Sequence, residues 1–316
     1  MNAPRIAAGV LISVALLTAG CQHPLARAAG DTSVTVESGG QQRQFLVHLP
    51  AGHSGGAKLP AVLVFHGGGG TAQGMAEMTG FDRLADQDGF VAVYPSGYEK
   101  SWNDGRGGDT RAGAAGIDDL GFVATVIDRI VADNGVDPER VAATGLSNGA
   151  MFTEYLGCRL SDRLAAIAPV AGELPVADQS GCAPSHPMPV LEIHGTADPI
   201  VPYGGGDVRV TSGHLGGAGT SPVLSVDDTQ QLWRGKDGCG AVTSNPLPAH
   251  GDDGTSVTVQ SADCANNGKV ELYSITGGGH TWPDGPQYLP KAIVGTASHQ
   301  FDGSAVIWDF LSAYHR

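Results

Sequence analysis

The segment Gly145-Leu146-Ser147-Asn148-Gly149 decides the fold, because it stands between a strand-like stretch and a helix-like stretch. Residues 141–144 are typical of a buried strand, and residues 150–156 predict the helix that follows it. A G-x-S-x-G sequence in this setting is a nucleophile elbow, a sharp turn that exposes its serine at the end of a strand. The pattern alone is weak in a chain with 48 glycines, so the prediction depends on its context and on residues downstream.

Two candidate partners for Ser147 follow later in the chain, each just after a predicted strand. Asp198 comes after the strand at 189–195, and His280 comes after the strand at 270–275. The chain order Ser, Asp, His is that of α/β-hydrolases and differs from the order in chymotrypsin-like and subtilisin-like enzymes. In such a triad the histidine takes the serine proton, and the aspartate fixes the imidazole tautomer and stabilises its charged form.

An oxyanion hole is predicted after another apolar strand, at 60–66, which runs directly into Gly67-Gly68-Gly69-Gly70. Such a loop offers unobstructed backbone N–H groups to a developing oxyanion, together with the N–H of the residue after the nucleophile, Asn148. We expect Gly68 to be the loop donor, with its two neighbouring glycines as alternatives. Losing one donor of this kind typically costs about 3 kcal/mol of transition-state stabilisation.

Other titratable residues near these motifs have competing interpretations. His66 and His194 stand at strand ends before glycines, and we expect them to be structural. Glu173 and Asp207 are the alternatives to Asp198 as the triad acid.

Two tryptophans and an acidic pair complete the set of candidates. Trp102 and Trp282 are expected to flank the substrate near the site, and packing in the wall of the protein is the alternative. Asp118 and Asp119 lead a segment with helical apolar spacing, so we interpret them as carboxylates at a helix start.

The order of predicted elements indicates the α/β class. Apolar strands alternate with helix-like segments, which favours a mostly parallel central sheet covered by helices on both faces, and with the elbow an α/β-hydrolase fold. A hairpin is predicted around Gly39-Gly40. Two long irregular stretches, 96–116 and 204–220, follow strands on the carboxyl side of the sheet, where ligands bind. Because no linker interrupts the pattern, we expect a single catalytic domain at 30–316.

Residues 1–29 are expected to be an export signal, with an apolar stretch at 6–17 that is too short to span a bilayer. The sequence at 17–21 resembles a bacterial lipobox, although its threonine departs from the usual pattern. Lipidation of Cys21 would then anchor the protein at the cell surface without a transmembrane helix. The alternative is ordinary cleavage after 26–28, which would release the protein; both interpretations imply export.

Composition excludes several partners. The net charge is −14 without a Lys/Arg cluster, which argues against nucleic acid or an anionic membrane surface. With Cys21 set aside, an even number of cysteines in an exported chain indicates two disulfides. The local pairing, Cys158 with Cys182 and Cys239 with Cys264, closes loops of similar length and is favoured over the other two pairings. Because the sequence contains no C-x-x-C, we expect no metal site, and we expect no cofactor.

As a set, these motifs resemble the secreted poly(3-hydroxybutyrate) depolymerase and feruloyl esterase group of carbohydrate esterases, which includes actinobacterial esterase lipoproteins. The resemblance runs from about residue 45 to the C-terminus. It is carried by Phe65–Gly70, Tyr94–Gly97, Trp102-Asn103, Asp118-Asp119, Gly145–Met151, His194–Asp198 and Gly278–Pro283. It implies an α/β-hydrolase fold and a metal-free serine esterase mechanism on esters in polymers or phenolic conjugates.

The predicted function is therefore an exported serine carboxylic-ester hydrolase that acts through an acyl-enzyme on short-chain hydroxyalkanoate, acetyl or feruloyl esters. Depolymerases of this group often carry a separate substrate-binding domain, and since the sequence offers none, we expect small esters, oligomers or saccharide-linked esters rather than solid polyester. An envelope acyltransferase with a sugar or lipid acceptor is the alternative, and a catalytically silent binding protein is a third hypothesis. The oligomeric state is left open.

Overall fold

The computed structural model describes residues 30–53, 56–209 and 221–316. The expected export signal at 1–29, with Cys21 and the alternative cleavage site, lies outside these residues. Residues 210–220, most of the second long irregular stretch, lie outside them as well.

The part of the chain that the structure describes forms twelve strands and eight α-helices. The strands are β1 Gly30–Ser38, β2 Gln41–Leu49, β3 Leu59–Phe65, β4 Val91–Pro95, β5 Val136–Leu146, β6 Ile167–Val170, β7 Val190–Gly195, β8 Gly206–Asp207, β9 Pro222–Val223, β10 Thr243–Pro246, β11 Ser256–Asp263 and β12 Lys269–Thr276. The helices are α1 Ala72–Thr79, α2 Phe81–Asp88, α3 Arg111–Ala114, α4 Asp119–Asn134, α5 Asn148–Arg159, α6 Val226–Lys236, α7 Lys291–Val294 and α8 Gly303–Ser312. Short 3-10 helices occur at Gly107–Asp109, Ser161–Arg163, Val176–Gly181 and Ala265–Asn267.

Ten of the strands form one sheet in the order β1-β2-β4-β3-β5-β6-β7-β12-β11-β10. The central run from β4 to β12 is parallel, and the pairs toward both edges are antiparallel. This confirms the mostly parallel sheet and the hairpin at Gly39-Gly40, whose strands β1 and β2 pair antiparallel. The antiparallel edge formed by β11 and β10 was not anticipated from the sequence.

Helices cover both faces of the sheet, as the apolar strands predict. Along β3, Leu63 and Phe65 belong to a core shared with α4 and α5, whereas Val62 and Val64 belong to a core shared with α1, α2 and α8. Trp233 of α6 lies in the first core. Burying each of these aliphatic or aromatic side chains contributes roughly 1.5–3 kcal/mol, so the two-sided burial holds the strand ends in fixed positions.

Two helical segments differ in detail from their sequence patterns. The stretch at 72–86 is divided at Gly80, whose φ of 62° ends α1 before α2 begins. Asp118 caps α4 by accepting a hydrogen bond from the N–H of Gly121 at 2.8 Å, as a helix-start carboxylate should. Its neighbour Asp119 is buried and forms an ion pair with Arg43 at 2.7 Å.

The disulfides have the local pairing that was expected. Cys158 bonds to Cys182, which ties the end of α5 to the segment after β6, and Cys239 bonds to Cys264, which ties the segment after α6 to the end of β11. Disulfides of this kind persist in oxidising compartments. Among the helices of the described residues, none combines the length and the apolar character needed to cross a bilayer.

The sheet order determines where the candidate residues meet. The parallel strands β3, β5, β7 and β12 end at the same edge, and His66, Ser147, Asp198 and His280 follow these four ends in turn. Because β7 and β12 are neighbours in the sheet, the loops that carry Asp198 and His280 lie side by side.

Candidate active site

Ser147 occupies a strained turn between β5 and α5. Its φ is 59° and its ψ is −122°, a conformation that costs a non-glycine residue about 1–3 kcal/mol. The turn requires glycine on both sides of the serine, because a Cβ on Gly145 would lie 2.5 Å from the carbonyl oxygen of Gly149. A Cβ on Gly149 would likewise lie 2.6 Å from the carbonyl oxygen of His66. The G-x-S-x-G sequence therefore forms the sharp strand-to-helix turn of a nucleophile elbow.

Asp198 and His280 form a buried pair at the same edge of the sheet as this elbow. His280 Nδ1 lies 2.7 Å from Asp198 Oδ2, and the residues are 2% and 7% exposed. The other carboxylate oxygen, Oδ1, accepts hydrogen bonds from the N–H groups of Ile200 at 2.7 Å and Val201 at 2.9 Å. Burial opposes ionisation of Asp198, but the facing imidazoles of His280 and His194 outweigh it and hold the pKa of the carboxyl below its usual range.

The serine itself is partly exposed at the sheet edge. The structure pairs His280 with Asp198, and it contains no hydrogen bond between His280 and Ser147 within the described chain. In ligand-free enzymes such nucleophile–base bonds are often long and tighten only when the substrate is bound. The arrangement thus presents a turn-exposed serine and an oriented imidazole at the same edge of the sheet.

The glycine loop after β3 contacts the elbow. A Cβ on Gly67 would lie 3.4 Å from the Cβ of Ser147. The N–H of Gly69 donates to Lys100 O at 2.8 Å, and the N–H of Gly70 donates to Gly67 O at 2.9 Å, so both are engaged.

The N–H groups of Gly67 and Gly68 are the two remaining candidates in this loop. Among the described residues, the N–H groups of Gly67 and Gly68 have no internal hydrogen-bond acceptor. The geometry therefore removes Gly69 from the set of alternatives and leaves Gly68 and Gly67 as the candidates for the loop donor.

Asn148, the first residue of α5, is locked in place by its side chain. Its Nδ2 donates to Asp104 Oδ2 at 2.6 Å, and its Oδ1 accepts from the N–H of Trp102 at 2.8 Å. Asp104 is fully buried and is balanced by Arg106, whose guanidinium lies 2.7 Å away. These contacts fix the position of the Asn148 backbone N–H, the second expected oxyanion donor. Asp104 was missed from the sequence, where its only signal was an acidic residue two positions after a tryptophan in an irregular stretch.

His66 connects the two loops next to the serine, which agrees with the structural role expected for it. Its Nδ1 donates to Gly67 O at 2.8 Å, and its Nε2 accepts from the N–H of Gly97 at 3.0 Å. Burial lowers the pKa of His66 to about 4, so the ring is neutral at pH 7 and can accept the second bond.

The two tryptophans lie in the protein wall. Trp102 is fully buried, stacks on Phe152 with ring centroids 5.2 Å apart, and donates from Nε1 to His66 O at 2.8 Å. Trp282 is 1% exposed, and its Nε1 donates to Ser304 Oγ at 3.0 Å. Their expected contact with the substrate is therefore corrected to wall packing, because neither ring presents a surface to a bound ester.

Glu173 and Asp207, the alternative triad acids, do not pair with His280. Glu173 is buried, and its Oε1 lies 2.6 Å from Nδ1 of His194, not against His280. Asp207 is exposed on β8. Of the carboxylates considered from the sequence, the structure brings Asp198 to His280.

Two groups of side chains within the described residues are close enough to share a metal ion: Asp31, His48 and Asp82, and Glu173, Glu192 and His194. In both groups the imidazole already has a hydrogen-bond partner on each nitrogen. His48 faces Asp31 at 2.8 Å and Asp86 at 3.2 Å, and His194 faces Glu173 and a backbone carbonyl. A ring that donates from both nitrogens has no lone pair for a metal, so these donor sets fit ion pairs better than metal centres.

Comparison with known proteins identifies a family whose model matches this chain. The family described as Esterase PHB depolymerase matches residues 44–214, a range that contains the elbow and Asp198. A protein named as an esterase, NocK of Nocardia uniformis subsp. tsuyamanensis, is 31% identical over 98% of this chain and 90% of its own length. Feruloyl esterase B of Piromyces equi is 28% identical over 77% of this chain, which spans 43% of that protein.

A solved structure supports the same fold. The acetyl xylan esterase from Aspergillus awamori aligns with a TM-score of 0.54, covering 79% of this chain and 94% of that chain at 16% identity. At this identity the likeness concerns the fold alone, and it confirms the α/β-hydrolase architecture expected from the sequence.

Proposed function

From the chain's membership of the esterase PHB depolymerase family, which makes it an ester hydrolase, we propose that it cleaves short-chain hydroxyalkanoate, acetyl or feruloyl esters through an acyl-enzyme on Ser147. The observation that carries the proposal is the buried Asp198–His280 pair at 2.7 Å, at the same edge of the sheet as a serine held in an elbow turn. The names of similar proteins, which include a feruloyl esterase and a poly(3-hydroxyalkanoate) depolymerase, support these ester classes.

The reaction has two steps. Ser147 Oγ attacks the ester carbonyl carbon while His280 Nε2 takes its proton, and the resulting oxyanion accepts hydrogen bonds from the N–H groups of Gly68 and Asn148. The tetrahedral intermediate collapses, the C–O bond to the alcohol breaks, and His280 returns the proton to the departing oxygen. Water then attacks the acyl-serine with His280 as base, which releases the acid and restores the serine. Asp198 remains ionised and keeps the imidazole in the tautomer with hydrogen on Nδ1.

The proposed cellular location is outside the cytoplasm, on a lipid anchor at Cys21. It is supported by the lipobox-like sequence at 17–21 and by two disulfides, which form in oxidising compartments. Expression of the full chain with a radiolabelled fatty acid tests it: label should enter the wild-type chain and be lost from Cys21→Ser. Release of an unlabelled protein cleaved near residue 28 would favour the alternative.

The function is tested with purified protein on p-nitrophenyl acetate, p-nitrophenyl butyrate and methyl ferulate. We expect Ser147→Ala to lose at least about 10⁴-fold in kcat/KM on every ester that the wild type turns over. Ser244→Ala, on the outermost strand β10, makes the same chemical change away from the site and should keep wild-type rates.

The alternatives are outcomes of the same assay. Product that appears only when a sugar or lipid acceptor is added would replace hydrolysis with acyl transfer. Wild-type protein that is folded and inert with every ester and acceptor would favour a binding protein. Equal rates for the wild type and Ser147→Ala would contradict the proposed nucleophile.

A further inference from the structure

A line of buried polar groups continues behind the triad acid. Asp198 Oδ2, which contacts His280, also lies 3.4 Å from Nε2 of His194. The opposite nitrogen of that ring, Nδ1, lies 2.6 Å from Glu173 Oε1. The side chains of His194 and Glu173 are fully buried, so solvent does not screen their interaction with Asp198. Both imidazoles therefore face the same oxygen of the triad carboxylate.

The hydrogen-bond geometry determines where the protons lie on His194. Nε2 is 3.0 Å from the carbonyl oxygen of Val201, which can only accept, so Nε2 must carry a hydrogen. Nδ1 faces a carboxylate oxygen of Glu173, so a second proton lies between these two atoms. The pair is therefore either an imidazolium with a carboxylate or a neutral imidazole with a carboxylic acid.

Neighbouring carboxyls favour the ionised pair. Glu192 is fully buried on β7, lies close to Glu173, and accepts from Gln230 at 2.9 Å. Burial, together with the charge of Glu173, raises the pKa of Glu192 well above its usual range, which favours the protonated form that can donate to Glu173. A proton shared by the two carboxyls also supplies the donor that Glu173 Oε2 and Glu192 Oε1 otherwise lack in the described chain. Glu173 is thereby stabilised as the carboxylate, which leaves the second proton on His194.

The remaining groups around the ring do not reverse this assignment. Burial lowers the pKa of His194, but its hydrogen bonds to Asp198 and Glu173 outweigh burial and raise the pKa to about 10. Glu154 of α5 is also buried, which raises its pKa well above the usual range, and it accepts from Trp233 at 2.6 Å. Burial thus favours its neutral form, which adds no charge to the pair.

Two tyrosines complete the surroundings. The ring of Tyr203 packs edge-on against His194 at 5.8 Å, and the hydroxyl of Tyr288 donates to His280 O at 3.0 Å. Burial raises the pKa of both hydroxyls, so neither ionises in the range where an esterase is assayed.

We propose that His194 is a positioning residue, whose imidazolium, balanced by Glu173, holds the Asp198 carboxylate against His280 and offsets part of its charge. The inference rests on the proposed esterase mechanism. A cation 3.4 Å from the carboxylate weakens the attraction of Asp198 for a proton on His280. The acid limb of the pH–activity profile should therefore lie at a lower pH than in a triad without His194.

The test compares pH profiles of kcat/KM for the wild type, His194→Gln and Glu173→Gln between about pH 5 and 9. Glutamine at 194 keeps a donor for Asp198 but carries no charge. Glutamine at 173 donates to Nδ1 and leaves His194 neutral. Both variants should therefore move the midpoint of the acid limb upward by about 1 pH unit. At the acid end of the profile, this shift lowers kcat/KM about tenfold, whereas kcat/KM above the limb should change less. The double variant should shift no further, because either change removes the same charge.

His48→Gln is the matched control. His48 also lies between two carboxylates, Asp31 and Asp86, but it sits on β2 opposite Ala92, near the start of β4 and away from the carboxyl ends of the parallel strands. Its removal should leave the acid limb in place. An unshifted limb in folded His194→Gln, or an equal shift in His48→Gln, would overturn the proposal.

A second measurement needs neither a variant nor turnover. In nitrogen-15 spectra of the histidine rings of the wild-type protein, both nitrogens of His194 should carry hydrogen from about pH 6 to 8.5. A His194 ring with one unprotonated nitrogen at neutral pH would contradict the inference even if the variants failed to fold. An inert wild type would instead overturn the proposed function, and these spectra would still decide the state of His194.

Discussion

His280 Nδ1 and Asp198 Oδ2 lie 2.7 Å apart in a buried contact that joins the loops after two neighbouring parallel strands, β12 and β7. Because the carboxylate accepts the Nδ1 hydrogen, Nε2 of His280 is left with a lone pair and can act as a base. The backbone N–H groups of Ile200 and Val201 hold the other oxygen of the carboxylate. The sheet order thus brings together the two residues whose hydrogen bond sets the imidazole tautomer that acyl transfer requires.

Removing the charge of Asp198 should therefore impair catalysis far more than folding. We expect Asp198→Asn to lower kcat by about 10³–10⁴-fold, because asparagine can hold the imidazole only in a poorer tautomer and cannot stabilise the imidazolium. Esterase kinetics and a thermal melt of the same preparation measure the two effects. Asp207→Asn, at an exposed position on β8, is the control and should keep wild-type activity. Similar losses in both variants would contradict the assignment of the acid.

Arg106 balances the buried carboxylate that orients Asn148. We expect Arg106→Met to destabilise the fold by about 3–5 kcal/mol, since it leaves Asp104 buried without its cation at 2.7 Å. Arg111→Met removes a guanidinium that lies 3.6 Å from Glu99 in an exposed pair, and it should cost at most about 1 kcal/mol. Urea denaturation of both variants measures the difference. Equal losses would show that the Asp104–Arg106 pair does not support the site.

The neutral state of His66 predicts a loss of stability in acid. Its pKa is about 4 in the folded protein and about 6.5 in the unfolded chain, so the unfolded chain binds more protons between these values. Stability therefore rises with pH in this window, and about 3 kcal/mol is lost as the pH falls from 6.5 through 4.

Replacement of His66 tests this dependence. The unfolding free energy of His66→Gln should change less between about pH 7 and 4.5 than that of the wild type, whereas exposed His299→Gln should follow the wild type. If His66→Gln and the wild type lost the same free energy over this range, His66 would not be the titrating group.

The two disulfides form a matched pair for a stability measurement. Their sequence separations are 24 and 25, so loop entropy predicts that each contributes about 3.5 kcal/mol. Removing Cys158–Cys182 frees the end of α5, and removing Cys239–Cys264 frees the segment after α6. Double serine variants should lose similar amounts in urea denaturation. Wild-type stability in either variant would show that its bridge does not form in the protein.

The sequence predicted the parts of the site that depend on local geometry. The turn at Ser147 requires glycines on both sides, and the positions of Asp198 and His280 follow from strand ends that a parallel sheet brings to one edge. The same reasoning predicted the two-sided core, because strands such as β3 are apolar throughout.

Contacts between distant segments could not be predicted in this way. Asp104 and Asn148 are 44 positions apart, and nothing local indicates that the carboxylate orients the amide. Glu192 and His194 interrupt the otherwise apolar strand β7, and this pattern indicates buried charged groups. The partner of His194, Glu173, is distant in the sequence and could be identified only from the fold. The tryptophans were misassigned for the same reason, since proximity to a motif does not determine whether a ring lines the cavity or the wall.

The most direct test of the account is covalent labelling with an organophosphonate that reacts with activated serines, followed by peptide mass analysis. We predict one phosphonyl group per chain, on Ser147, with labelling abolished in Ser147→Ala and strongly slowed in Asp198→Asn. Ester hydrolysis by a wild-type protein whose Ser147 stays unlabelled, or a label on another residue, would contradict the assignment of Ser147 as the nucleophile.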